Sequence, residues 1–268
     1  MFEKGSYQEY RTYLFDLKKK NPLISDMFDI LLEEGSCNAL CNDKEFTKED
    51  FIHLLALYNV NDYREGGAGA HDDKQTDQGY SNTPLKFIEE FLQNADDCEY
   101  NENPKIEISL DQGKKSIEFV YNETGFTRAD IISLTARDKS TKVGLNDSEY
   151  PDKGVFYLRK TGRKGTGFKS VFSIDAENVI VHIRSNGFSF RLDRKIGRTI
   201  PIIESDMCIE GKTCITVELV NAVDPLDTVF ERINKIFCIS DHYSFFRDNP
   251  VLFLRKIRAI TVRNKSQK

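Results

Sequence analysis

No apolar run in this chain approaches the roughly 20 residues that span a bilayer. Residues 1–10 are polar and charged, so neither a membrane anchor nor a secretory leader is expected. Histidine is sparse: His53, His71, His182 and His242 are scattered and give no basis for a catalytic or metal site. The six cysteines, Cys37, Cys41, Cys98, Cys208, Cys214 and Cys238, are irregularly spaced. Cys37 and Cys41 are not followed by a second Cys or His pair at zinc-binding spacing. Reduced cysteines in a cytoplasmic protein are the expectation. A large excess of one charge is also missing. The net charge is −5, so a broad electrostatic footprint for nucleic acid is not expected, although a local basic patch stays open. There are no internal repeats.

What is present suits one large globular domain, or one domain with a helical extension: 268 residues, 39% hydrophobic and 30% charged. Residues 6–60 read as helices. Tyr10, Tyr13, Leu14 and Leu17 recur at helical spacing, as do Met27, Ile30 and Leu31. Thr47 with Glu49 and Asp50 marks a helix start. Residues 61–82 are polar and glycine-rich and read as a loop. Thr83-Pro84 then opens a helix whose buried stripe is Leu85, Ile88, Phe91 or Leu92, and Ala95.

Alternating patterns predict strands at 105–110 and 116–121, joined by a turn at 111–113. A loop at 122–125 and a short helix near 127–136 follow. Residues 137–165, rich in Lys, Gly, Asp and Ser, have the composition of a lid. Strands are predicted near 179–184, 188–192 and 213–219, a helix near 226–239 and a final strand at 251–262. This order lacks the strand–helix alternation of a doubly wound parallel sheet. It predicts an α+β fold: a two-layer α/β sandwich of a mixed, mainly antiparallel sheet covered on one face by helices. Residues 1–80 would form a helical extension and 81–268 the main domain.

Two motifs carry chemistry. In Glu90-Phe-Leu-Gln-Asn94-Ala-Asp-Asp97, positions i, i+4 and i+7 share a helical face. Asn94 offers an oxygen suited to Mg²⁺, and Glu90 is placed to accept a proton from an attacking water. On a lone helix this would be an ordinary solvated face. The second motif changes that. Gly162-Arg-Lys-Gly165-Thr166-Gly167-Phe168-Lys169-Ser170 is a glycine-rich loop running into a helix, where backbone N–H groups can hold phosphate oxygens. Alone it is weak evidence, usually just a flexible turn. It is not a Walker loop, because the four-residue gap before Gly-Lys-Ser/Thr is missing. No clear strand leads into it, as a dinucleotide fingerprint requires.

In this order and combination the two motifs resemble the GHKL (Bergerat-fold) ATPases, which include gyrase, MutL, histidine kinases and the ninety-kilodalton heat-shock chaperones. Val120-Tyr-Asn122-Glu-Thr-Gly125-Phe-Thr, Lys139-Ser140-Thr141-Lys and Gly165-Thr-Gly-Phe-Lys-Ser-Val-Phe172 most resemble the chaperone-related branch of sacsin and the plant protein NO VEIN. The likeness covers about residues 80–220. It implies ATP and Mg²⁺ as ligands, with Glu90 as general base, Asn94 as Mg²⁺ ligand and Asp97 as the acid supporting the base of the site. It further implies Gly125 at the turn beneath adenine, Lys139 and Ser140 as lid residues near the phosphates, and Gly162, Gly165, Thr166, Gly167, Phe168, Lys169 and Ser170 as the phosphate loop. Thr213 would lie near the adenine.

The chain departs from the family's Asp-x-Gly-x-Gly at the adenine turn. Asn122 is the expected acceptor there, with Glu123 or Thr213 as the other places for that contact. The resemblance implies an ATP-binding and hydrolysing module with lid closure as its output and a nucleotide-dependent homodimer as its assembly. A DNA-handling relative of gyrase, MutL or MORC, a part in antiphage defence, a nucleotide-binding pseudo-ATPase, or a histidine kinase using His53 are the alternatives. Intact Glu90 argues against the pseudo-ATPase, and the setting of His53 in Phe51-Ile-His53-Leu-Leu argues against the kinase.

Overall fold

The computed structural model describes residues 2, 5–37, 39–42, 45–64, 86–135, 167–174, 176–205, 211–222 and 254–265. Four helices come first. α1 (Tyr7–Lys20) begins at a capping box in which Ser6 and Glu9 bond each other's backbone N–H groups. Asn21 ends α1, and its side chain caps α2 (Pro22–Glu34), which has proline in its first turn. α3 (Ala39–Asn42) is one turn. α4 (Lys48–Arg64) starts at a second box: Asp50 N–H donates to Thr47 Oγ1 at 3.0 Å, and Thr47 N–H to Asp50 Oδ2 at 3.2 Å. Residues 61–64, read from sequence as loop, continue α4, and the rest of that stretch lies outside the described residues.

α5 (Lys86–Asp97) carries the first motif and buries Phe87, Ile88, Phe91, Leu92 and Ala95. Its expected start at Thr83-Pro84 lies outside the described residues, as do the lid stretch 137–165 and the helix foreseen at 226–239. β1 (Lys105–Asp111), β2 (Ser116–Tyr121) and α6 (Arg128–Thr135) follow, α6 opening on a third box between Thr127 and Asp130. A short 3₁₀ helix at Phe168–Ser173 stands where a helix was expected after the glycine loop. The remaining strands are β3 (Ala176–Ser185), β4 (Phe188–Asp193), β5 (Gly197–Ile203), β6 (Thr213–Ala222) and β7 (Ala259–Asn264). β5 is not among the strands expected from sequence, and the final strand covers Ala259–Asn264 where 251–262 was expected, with 251–253 outside the described residues.

The sheet order is β5-β4-β3-β6-β2-β1-β7. Every pairing is antiparallel except β1 with β7. The architecture is therefore α+β on a mixed, mainly antiparallel sheet. Side chains alternate between faces, and one face is apolar: Ile108, Phe119, Ile215, Ile183 and Phe190 form one cross-strand row of it. α5 packs on this face through Phe91, whose ring lies 5.0 Å from that of Phe119. α4 covers its other end through Phe51, 5.6 Å from Phe188. Tyr10 and Phe51 belong to the same core as Phe91 and Phe119. Among the described residues no helix is long and apolar enough to cross a membrane, and none of the described cysteines forms a disulfide.

Candidate functional site

The row of the sheet nearest the C-terminal end of α5 changes chemistry. It runs Ile106, Tyr121, Thr213, Ser185 and Phe188 across five strands, so register alone sets three hydroxyls in line. Ser185 Oγ and Thr213 Oγ1 hydrogen-bond each other, and Ser185 Oγ also accepts from Phe126 N–H at 2.8 Å. Just beyond β2, Glu123 is buried beside them, only 5% exposed. Cys98 and Thr213 stand close enough to draw its pKa down, but burial outweighs them and holds the carboxyl above the usual range. Glu123 Oε1 meets no donor at hydrogen-bonding geometry among the described residues, and neither does the Tyr121 hydroxyl. Burial, with Glu123 nearby, also pushes Tyr121 well up. Unpartnered buried oxygens are rare, and these two set this end of the sheet apart among the described residues.

Gly125 closes this end. Its φ is +93, and a Cβ there would sit 2.7 Å from Asn186 Cβ. Both the backbone and the approach of the β3–β4 turn exclude a side chain. Asn186 Nδ2 donates to Phe126 O at 3.1 Å and fixes the two turns together.

Asn122, expected to accept from the adenine, is engaged elsewhere. Its Oδ1 accepts from Lys105 N–H at 2.7 Å and its Nδ2 donates to Asn103 O at 2.9 Å. Alternation along the strand is the reason: Tyr121 and Glu123 are buried toward the row, and Asn122 between them turns to the start of β1. The buried acid is Glu123.

The second cluster joins the two sequence motifs. Gly167 lies against Glu90 so closely that a Cβ on it would be 2.0 Å from Glu90 Oε2. Gly167 has φ −60 and ψ −45, ordinary helical backbone, so close approach is what demands glycine here. Phe168 stacks on Phe91, with rings 5.1 Å apart and 8° from parallel. Ser170 Oγ donates to Gly167 O at 2.6 Å, drawing the hydroxyl back onto the turn. Lys169 is 2% exposed, so its stem is packed within the fold. Arg194 donates to the carbonyls of Phe172, Ile174 and Ala176 and secures the end of the 3₁₀ helix. Lys139, Ser140, Gly162, Gly165 and Thr166 lie outside the described residues.

Cys98 links the clusters: its thiol donates to Asn94 O at 3.1 Å, and it neighbours Glu123. Asn94 sits on the turn between them, half-buried. Asp97, expected to support the base of the site, is paired with Arg255 at 2.5 Å. Among the described residues no group of three or more His, Cys, Asp or Glu could hold a metal. A cation here would depend on Asn94 and on oxygens of a ligand. His53 is buried in α4, with burial pushing its pKa down, and is not presented to solvent as a phosphoacceptor would be.

Sequence reading had set Glu123 behind Asn122 and missed Cys98, Ser185, Asp96 and Arg255. Period-2 counting from Tyr121 was the one signal that pointed to Glu123.

No protein-family model matches the chain. It is similar to the protein NO VEIN of Arabidopsis thaliana, 31% identical over 199 residues that make up 66% of this chain and 6% of that protein. It is also similar to the chaperone protein HtpG of Anaplasma phagocytophilum, 29% identical over 174 residues, 63% of this chain and 26% of the chaperone. The chain thus spans a small part of the length of either relative.

Proposed function

We propose that this chain is an ATP-binding module that hydrolyses ATP with Mg²⁺, of the GHKL type and nearest the sacsin and NO VEIN branch. The contact of Glu90 with Gly167 carries this reading: two segments 77 residues apart, each weak alone, meet where a base and a phosphate loop must meet. The distant similarity to NO VEIN and to a chaperone supports it.

The geometry supports these roles. Glu123 Oε1, buried without a partner, suits the exocyclic amino group of adenine, and Thr213 and Ser185 offer hydroxyls beside it. Asn94 would hold Mg²⁺ through its amide oxygen, and the ion supplies neutralising charge at the phosphates when bound. Glu90 accepts the proton of the water that attacks the γ-phosphate, and Gly167 gives the turn beside it no side chain to intrude. Residues 81–268 as the nucleotide domain, 137–165 as its lid and a nucleotide-dependent homodimer belong to the same proposal.

Titration calorimetry with ATP, with and without Mg²⁺, tests it. Binding that strengthens with Mg²⁺ in the wild type, and an Mg²⁺ effect that vanishes in Asn94→Ala, is the expected result. A wild-type chain that binds no adenine nucleotide would sink the reading.

A further inference from the structure

The last turn of α5 ends in two acids, Asp96 and Asp97, at the helix end where backbone carbonyls already gather negative charge. Both are nearly closed to solvent, at 2% and 5% exposure. Buried like charges at that end would drive the turn apart unless matched. The match comes from far along the chain. Arg255 Nη2 donates to Asp97 Oδ1 at 2.5 Å and Arg255 Nε to Asp96 Oδ2 at 3.2 Å. The backbone N–H groups of Arg255, Lys256 and Ile257 donate to Asp96 at 2.9, 2.6 and 3.0 Å. Lys256 Nζ donates to the carbonyl of Cys98 at 2.8 Å, just past the helix. Immediately afterwards Arg258 N–H donates to Pro104 O, and the chain enters β7 alongside β1.

We propose that Arg255 is a positioning residue for the metal-binding turn of α5, holding Asn94 in place by matching the charge of Asp96 and Asp97. This rests on the Mg²⁺-ATP reading above. Asn94 lies one turn before Asp97, whereas Glu90 lies nearly two turns before it, so the clamp acts on the metal ligand more than on the base. It also makes 254–257 part of the site: by reciprocity, a ligand held at Asn94 protects that segment.

Two measurements on the full chain decide it. The first is amide hydrogen exchange without nucleotide. Arg255→Ala should speed exchange at residues 95–98 about tenfold, leave 88–92 nearly unchanged, and be largely rescued by Arg255→Lys. The second is titration with ATP. In Arg255→Ala the affinity gained on adding Mg²⁺ should fall about fivefold or more, with Mg²⁺-free affinity within about twofold of wild type. If Arg255→Ala fails to fold, Arg255→Gln, which keeps a side-chain donor but loses the charge, is measured in its place and read the same way. Unchanged exchange at 95–98 would overturn the proposal whatever the nucleotide does. An equal loss with and without Mg²⁺ would overturn it too, because Arg255 would then serve the fold alone. A wild type that binds no Mg²⁺-ATP would defeat the functional reading, while the exchange measurement still judges the clamp.

Discussion

The carboxylate of Glu90 occupies the space that a side chain at Gly167 would fill: a Cβ there would stand 2.0 Å from Oε2 and 2.6 Å from Cδ. The neighbour is the far end of a flexible side chain, and the Gly167 backbone is helical. Alanine is therefore tolerable to the fold while displacing the candidate base. Gly167→Ala should leave stability unchanged or raise it by up to about 1 kcal/mol, because glycine loses more entropy on folding. Hydrolysis should fall about 10²-fold or more, the usual loss when a general base is misplaced. Thermal melts and a phosphate-release assay on the same preparation would check this. A variant that hydrolyses ATP at the wild-type rate would show that Glu90 does not act from this position.

Glu123 gives a pH signature. Burial raises its folded pKa above the unfolded value of 4.5, with Asp130 adding to the rise and Cys98 and Thr213 opposing it. The folded state therefore keeps its proton as the unfolded state loses one. Stability is undiminished below pH 4.5 and declines as pH rises from there through the folded pKa. Glu123→Gln removes this slope and should be the more stable of the two at neutral pH, which denaturant melts across pH would read. Nucleotide binding should run the other way in the wild type. An adenine amino group favours the ionised carboxylate, so binding releases a proton and tightens as pH rises through the apo pKa. Calorimetry in buffers of different ionisation enthalpy reads that proton directly. Release of no proton would remove Glu123 from the contact.

Local pattern carried much of this fold into the sequence. The Thr47 and Ser6 boxes, the α5 stripe and the alternation in β1, β2 and β6 all involve residues within a few positions of each other. β5 escaped because Pro201 interrupts it. At the edge of the sheet a missing N–H is harmless, and Pro201 O instead accepts from the Tyr10 hydroxyl at 2.8 Å. Glu90, Asn94 and Gly167 were readable because a helix or a glycine spacing displays them. The polar row was not, since Tyr121, Thr213 and Ser185 become neighbours only once three strands are in register. Nor was the clamp, whose partners lie 158 residues apart.

On the sheet face turned away from α5, His182 shares its Nδ1 with both oxygens of Glu204 at 2.9 Å, and its Nε2 lies 3.4 Å from Glu218. Burial works against the charged ring, but the two carboxylates outweigh it and hold the pKa above 6.5. Burial likewise opposes the Glu204 charge, and His182 and Arg191 outweigh it, holding that pKa below 4.5. The His182 contribution is complete below pH 6.5 and is lost as pH rises through its folded pKa. The Glu204 contribution is present above pH 4.5 and is lost as pH falls through its folded pKa. Their pairing therefore stabilises most between about pH 4.5 and 6.5. Denaturant melts across pH should show a coupling of about 1 kcal/mol there in a His182→Gln, Glu204→Gln double-mutant cycle, fading as pH rises through the folded pKa of His182. A coupling that does not change with pH would rule out the charged pair.

Asn122 and Glu123 make opposite predictions about base selection. The Asn122 amide is held from both ends, accepting from Lys105 N–H and donating to Asn103 O. Asn122→Asp can keep the first bond but not the second, because a carboxylate only accepts. It should lower stability by about 0.5–1.5 kcal/mol, the net worth of one hydrogen bond, because water can reach the exposed Asn103 carbonyl. It should leave the ratio of ATP to GTP affinity as it is, since its side chain faces β1 rather than the row of hydroxyls. Glu123→Gln should shift that ratio toward GTP. Its amide can turn over to donate to the guanine carbonyl, where a carboxylate repels it. Competition binding with ATP and GTP on both variants separates the two. A ratio that moves with Asn122→Asp and not with Glu123→Gln would return the adenine contact to Asn122 and require the 103–105 turn to open when the nucleotide binds.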